Sequence, residues 1–241
     1  MIRLVHSPSV MGQAIPLAPG MEGILQHWQA RAGEILTMAD PGGHLYRSRL
    51  LTGLKEAVVF EKLSSGIEPP GPRWLCPVLP DRERMILIVQ KGVELGATVI
   101  QPLISERSSA GDGGGMSSSQ DKSATWNRVA LRAARQCRRA IIPELHPVRT
   151  LEEFLRADPP RHRAFLDPGT DRTPLVAWHR AGMRDPLALL SGPEGGWSDR
   201  ERGVLLQAGT TAISLGFRIL RAETAAIAAM AVVAALDGAF T

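Results

Sequence analysis

From Trp74 onward, short, predominantly apolar runs alternate with segments that are apolar only at helical spacing. The runs "RWLCPVLP", "TVIQPLI", "AFLD", "LALLS" and "TAISL" show no alternation of polar and apolar residues, so neither face of these strands is expected to meet water. Continuous apolar strands of this kind suit a parallel sheet covered by helices on both faces. Between the first two runs, Asp81 can cap a helix whose Met85, Ile88, Val89 and Val93 recur at helical spacing, and Gly96 can end it. The pattern predicts an α/β domain over residues 71–241.

Residues 1–70 have a different texture. "GEILTMADPGGHLYRSRLL" and "EAVVFEKL" are short apolar pieces broken by glycine and proline, and "DPGG" is a turn signal between two strands. A small β-rich unit is expected there, joined to the rest by the proline-rich "SSGIEPPGPR" (64–73). Two further segments stand out: "GDGGGMSSSQDKS" (111–123) reads as a flexible loop, and a helix is expected from about 124 to 139. One edge of that helix carries Arg128, Arg132, Arg135, Arg138 and Arg139.

The formal charge is +4, and the basic excess is arginine, because the only lysines are Lys55, Lys62, Lys91 and Lys122. Arginine suits phosphate through its planar fork, so an anionic partner is permitted but not demanded. Cys76 and Cys137 are isolated and the six histidines are scattered, which supplies neither a disulfide framework nor metal-ligand spacing. The longest apolar run, "AAIAAMAVVAAL" (225–236), is too short to span a bilayer, and a cytoplasmic protein without a membrane partner is expected.

The candidate site lies where strands end. In "SGPEGGWSDRERG" (191–203), Ser198 and Glu201 form the pattern of a capping box, so "GPEGGW" is a loop between a strand and a helix N-terminus. Ligands of open α/β sheets bind at such carboxyl ends, and glycine lets a ligand lie against main chain. A plain tight turn would account for one glycine pair. Three such loops, "FLDPGT", "LSGPEGG" and "SLGFRILRAET", point instead to a pocket lined by backbone. None has the spacing or lysine of a phosphate loop, and no nucleophile elbow is present.

These segments resemble the RsmE family of ribosomal RNA methyltransferases, in the SPOUT (trefoil-knot) superfamily. The likeness rests on "LSGPEGGWSDRE", on "SLGFRILRAETAAIAAMAVV", on "VQKGVELGATVIQPLISERS" and on "ARQCRRAIIPEL", which follow the family's order over residues 74–236. The chain departs from the family pattern at four places: Gln29 and Arg135 replace an arginine and a glutamate, Phe217 replaces a proline, and Ala222 replaces a threonine.

The resemblance implies an α/β protein with an N-terminal PUA-like β-barrel over residues 1–70 and a C-terminal SPOUT-type knotted methyltransferase domain over 71–241. Such a knot lies outside the ordinary rules of chain topology. It implies S-adenosyl-L-methionine as co-substrate, no metal, a homodimer, and 16S rRNA as partner, within the small ribosomal subunit. The reaction implied is methyl transfer to N3 of a uridine. Leu166, Pro168, Gly192, Pro193, Glu194, Gly195, Gly196, Leu215, Gly216, Ile219, Leu220, Arg221 and Thr224 are the expected cofactor-binding residues. Arg218 or Arg221 would face charge developing on the uracil oxygens, and Glu194 is the candidate base. Each also has a structural reading: Arg221 could pair with Glu223, and Glu194 could bind loop amides or the cofactor's amino group. Arg3, Arg128, Arg132, Arg135 and Arg139 are the expected RNA contacts. Two other functions compete, a non-enzymatic RNA-binding protein and a 2′-O-ribose methyltransferase, whose asparagine-bearing first motif is not found here.

Overall fold

The computed structural model describes residues 1–63, 67–108, 119–169, 171–182 and 186–240, with main chain only at 119–122. The chain divides into two compact units, Met1–Glu68 with Leu131–Ile142, and Pro69–Ala130 with Pro143–Thr241.

The first unit contains β1 (Ile2–Arg3), β2 (Ala14–Pro16), α1 (Glu22–His27), β3 (Ile35–Ala39), β4 (Leu45–Leu50) and β5 (Glu56–Lys62). They form a five-stranded sheet in the order β1-β3-β4-β5-β2, antiparallel except for β1 beside β3. Along β4 the buried Tyr46, Ser48 and Leu50 alternate with Arg47 and Arg49, the period expected of a strand with one covered face. The "DPGG" turn joins β3 to β4 as expected, with Gly43 at φ +82. Asp40 at its start is buried and accepts hydrogen bonds from Ser7 Oγ at 2.7 Å, the His44 amide at 2.9 Å and Tyr46 Oη at 3.2 Å. Burial opposes this charge, but the bonds from Ser7, His44 and Tyr46 outweigh it and hold the carboxyl at about 2.

The second unit holds β6 (Arg73–Pro77), α2 (Arg82–Glu94), β7 (Val99–Ile100), β8 (Leu103–Ile104), the first part of α3 (Ser119–Gln136), β9 (Glu144–Leu145), β10 (Arg149–Thr150), α4 (Leu151–Arg156), β11 (His162–Leu166), β12 (Thr173–Pro174), α5 (Leu175–Arg180), β13 (Leu187–Ser191), α6 (Asp199–Gln207), β14 (Thr211–Ser214) and α7 (Ala222–Leu236). Its main sheet runs β12-β14-β11-β13-β6-β7-β9, and every pairing in it is parallel. This is the α/β class expected from the apolar runs. Central strand β13 is buried at every position. Helix α2 buries Met85, Ile88, Val89 and Val93, is capped by Asp81 accepting from the Arg84 amide at 2.9 Å, and is followed by Gly96 at φ +91. It also lies close to β6: a Cβ on Gly92 would sit 2.8 Å from Leu75 Cδ2, so any larger residue would have to displace that side chain.

Two expectations are corrected. "TVIQPLI" is two strands, not one: Val99–Ile100 belongs to the main sheet, whereas Leu103–Ile104 pairs with β10 in a separate ladder. The break falls at Pro102, which has no N–H to donate, and the Gln101 side-chain amide instead donates to Pro147 O at 2.8 Å. The basic helix starts at Ser119, not 124, and stops at Gln136 because Arg138 turns to φ +56. Of the expected loop, 111–118 lies outside the described residues. So do residues 64–66 of the expected linker, whose last residue, Arg73, opens β6.

Candidate functional site

Three adjacent strands, β14, β11 and β13, end on the same edge of the parallel sheet. The loops that follow them are those singled out for their glycines. They close a cavity of about 470 Å³ lined by Leu166, Asp167 and Pro168 after β11, by Gly192–Glu194, Gly196 and Trp197 after β13, and by residues 215–216 and 218–222 after β14. Ile213, Ala225 and Arg84 complete the wall. This is within the size range of small-molecule sites.

The loop after β13 owes its shape to Trp197 and Glu201. Trp197 is buried among Phe165, Leu190 and Leu205, and its Nε1 donates to Leu166 O at 3.1 Å, which ties this loop to the end of β11. A Cβ on Gly192 would lie 2.8 Å from that same Nε1, so the indole can occupy its place only beside glycine. Gly196 and Gly216 have φ of +68 and +102, values that favour glycine. The expected capping box is present. Ser198 Oγ accepts from the Glu201 amide at 3.1 Å, and Glu201 Oε2 accepts from the Ser198 amide at 2.9 Å. The second oxygen of Glu201 accepts from the Glu106 amide at 2.9 Å, and Arg107 Nη1 donates to Gly195 O at 2.9 Å. The "SERS" segment therefore braces the glycine loop from outside. Hydrogen bonds from the Ser198 hydroxyl and from Arg200 hold Glu106 below its usual carboxylate range.

Eleven of the thirteen residues expected to bind cofactor line this cavity, along with Arg218. Gly195 and Thr224 do not. Gly195 faces the Arg107 side chain, whose Cδ would be 3.5 Å from an added Cβ, and Thr224 is exposed in the first turn of α7. A branched side chain at Gly195 would thus push on Arg107 rather than fill the cavity. Glu194 forms an ion pair with Arg84, a residue the sequence reading had passed over. Arg84 also reaches Asp81 Oδ2 at 3.2 Å and Glu223 Oε2 at 3.9 Å. The suggested Arg221–Glu223 pair is not formed, and Glu223 is buried toward Arg84 instead. Arg218 and Arg221 are exposed, and among the described residues neither has an ion-pair partner.

Asp167, also unforeseen, is buried on the cavity wall and held by Arg172 Nε at 2.9 Å and Arg202 Nε at 3.3 Å. Its signal was present in "FLDPGT", where a carboxylate stands at a strand end. Among the described residues no group of three His, Cys, Asp or Glu side chains could hold a metal ion, and no helix is long and apolar enough to cross a membrane.

The expected RNA contacts separate into two sets. Arg3, Arg128 and Arg132 are exposed. Arg135 and Arg139 are instead engaged by carboxylates of their own unit. Arg135 Nε lies 2.7 Å from Glu34 Oε1, and the buried Arg139 places Nε 3.0 Å from Glu68 Oε2.

Comparison with known proteins agrees with this geometry. The RNA methyltransferase domain family matches residues 68–234. A ribosomal RNA small subunit methyltransferase E from Synechocystis is 31% identical over 240 residues, covering 97% of this chain and 77% of the relative. The chain belongs to that family. A protein of the same description from Mycobacterium bovis is 31% identical over 217 residues, covering 86% of this chain and 80% of its own. Among solved structures, the Neisseria gonorrhoeae methyltransferase E bound to S-adenosyl methionine superimposes with a TM-score of 0.67 at 29% identity, covering all of both chains. A putative methyltransferase from Legionella pneumophila in complex with the same cofactor gives 0.67 at 30%, covering 98% of this chain and 97% of that one. The family resemblance read from the four sequence segments is thereby established.

Proposed function

We propose that this chain transfers a methyl group from S-adenosyl-L-methionine to N3 of a uridine in 16S rRNA. The observation that carries the proposal is the single cavity formed by three glycine-bearing strand-end loops, with two exposed arginines on its wall, in a member of this family. The wall suits the cofactor. Gly192, Gly196 and Gly216 line it without side chains, which suits a neutral adenosine, and the arginine-paired carboxylates of Glu194 and Asp167 also lie on it.

When bound, S-adenosyl-L-methionine supplies an electrophilic methyl on its sulfonium. The chain's own residues have to align a uracil N3 with that methyl, and positioning of this kind can remove about 7–11 kcal/mol of barrier. Arg218 and Arg221 are proposed to stabilise negative charge on the uracil oxygens as the N3 proton leaves, a role supported by their exposure on the cavity wall without carboxylate partners among the described residues. Glu194 is engaged by Arg84, which favours its structural role over that of base. Leu166, Pro168, Gly192, Pro193, Glu194, Gly196, Leu215, Gly216, Ile219, Leu220 and Arg221 are the proposed cofactor contacts.

Residues 1–70 are proposed to be a PUA-like barrel that holds RNA, which the five-stranded, mostly antiparallel sheet supports. Residues 71–241 are proposed to be the knotted SPOUT domain, acting in the cytoplasm. A homodimer is supported by α7, whose Ile227, Ala228, Ala231 and Val232 stay partly exposed beside the fully buried face. Mass spectrometry of rRNA from cells lacking the chain tests the activity. One uridine should lose a methyl and regain it with the purified protein and cofactor; an unchanged methylation map would refute the proposal.

A further inference from the structure

We infer that Phe217 is a stacking platform for an RNA base at the mouth of the cavity, an assignment that rests on the RNA-methyltransferase reading of the site. Solvent reaches 99% of Phe217 and 88% of Ile219, the highest values among the large apolar side chains in the described residues. Single exposed apolar residues are ordinary, but two within three positions form a patch that something is expected to cover. The ring stands at the rim, since the residues on either side of it, Gly216 and Arg218, both line the cavity. Gly216, at φ +102, makes the turn that lifts it there.

The surroundings identify the covering partner. Arg218 and Arg221 flank the patch, exposed and without an ion-pair partner among the described residues. An apolar protein face closing over Phe217 would desolvate these cations with nothing to pair them, which is costly. A nucleic acid strand meets both demands at once: its bases present π faces to the phenyl ring, and its phosphates and base oxygens accept from the guanidiniums. Stacking on aromatic side chains is how unpaired RNA bases are commonly gripped, and a base modified at N3 must leave its pair to be reached.

The test is steady-state methylation of rRNA taken from cells lacking the chain, using the full-length protein and its Phe217→Ala, Phe217→Leu and Phe217→Trp variants. Cofactor affinity by calorimetry and mass by light scattering are measured alongside. Phe217→Ala should raise the KM for RNA about tenfold, of the order expected for one lost base–aromatic stack, with a smaller change in kcat. Leucine should be no better than alanine, and tryptophan should restore the KM. Cofactor affinity and molecular mass should be the same in all four. A leucine variant equal to the parent would overturn the assignment, as would an unchanged KM in Phe217→Ala. A fall in the mass of Phe217→Ala would overturn it in favour of an interface with a second copy of the chain. Absence of methyl transfer by the unsubstituted protein would instead overturn the proposed function.

Discussion

Two glycines three residues apart in the same loop should respond in opposite ways to one added methyl group. At Gly192 a Cβ would fall 2.8 Å from Trp197 Nε1 and 3.0 Å from Cε2, and the indole it meets is buried and held by its bond to Leu166 O. Two costs follow. Overpacking a well-filled core costs about 1–3 kcal/mol, and displacing Nε1 from Leu166 O strands a buried donor and acceptor for about 1–3 kcal/mol more. Partial relaxation should leave about 2–4 kcal/mol, which for a chain of this size lowers the melting temperature by about 5–15 °C. At Gly195 the same methyl would meet Arg107 Cδ at 3.5 Å, ordinary contact with a flexible side chain. Gly195→Ala should therefore change stability by less than about 0.5 kcal/mol. The two variants should diverge equally in cofactor binding, because Trp197 and Leu166 both line the cavity. Gly192→Ala should weaken it at least tenfold, and Gly195→Ala less than twofold. Differential scanning calorimetry and isothermal titration of S-adenosyl-L-methionine measure both effects. Equal melting temperatures and affinities for the two variants would refute the role given to Trp197.

Three further outcomes are expected. Asp40 is held near 2, below its unfolded value, so its contribution is present above about pH 4 and is lost as pH falls toward 2. With allowance for solvent screening this amounts to about 1–2 kcal/mol, and Asp40→Asn should lose that share of the acid dependence in denaturant melts between pH 2 and pH 5. Arg128→Gln with Arg132→Gln should weaken RNA binding and reduce the slope of log affinity against log salt by about two, whereas Arg139→Gln should destabilise the fold by about 1–3 kcal/mol by removing the cation from Glu68, which keeps the Ala140 and Ile141 amides; binding isotherms at several salt concentrations and thermal melts separate the two. Arg221→Ala should slow single-turnover methyl transfer at saturating RNA about a hundredfold, a larger factor than its loss of RNA affinity, a split that a purely structural arginine would not produce.

What could be read in advance, and what could not, follows from the range of the forces involved. Strand β13 was legible because its buried run is written as four consecutive apolar residues, Leu187–Leu190, before Ser191, and α2 because its cap, period and terminal glycine are all local. The same holds for the Ser198–Glu201 box, whose two hydrogen bonds span three residues. The cavity was legible at one remove, since glycine at three strand ends is a local signal that acquires meaning only if those strands lie side by side. Arg84 was not legible. It sits on α2, and its carboxylate partners Glu194 and Glu223 are more than a hundred residues away in the chain, so nothing near it marks the pairing. The carboxylate partners of Arg135 and Arg139 were hidden for a related reason. As text they continue a basic stripe with Arg128 and Arg132, but whether an arginine faces solvent or a carboxylate depends on where Glu34 and Glu68 arrive. A charge run thus reports the charge of a face and not its availability. Ion-pair partners remote in sequence decide which arginines remain free to hold a polyanion, and on α3 the exposed pair Arg128 and Arg132 are the ones left to do so.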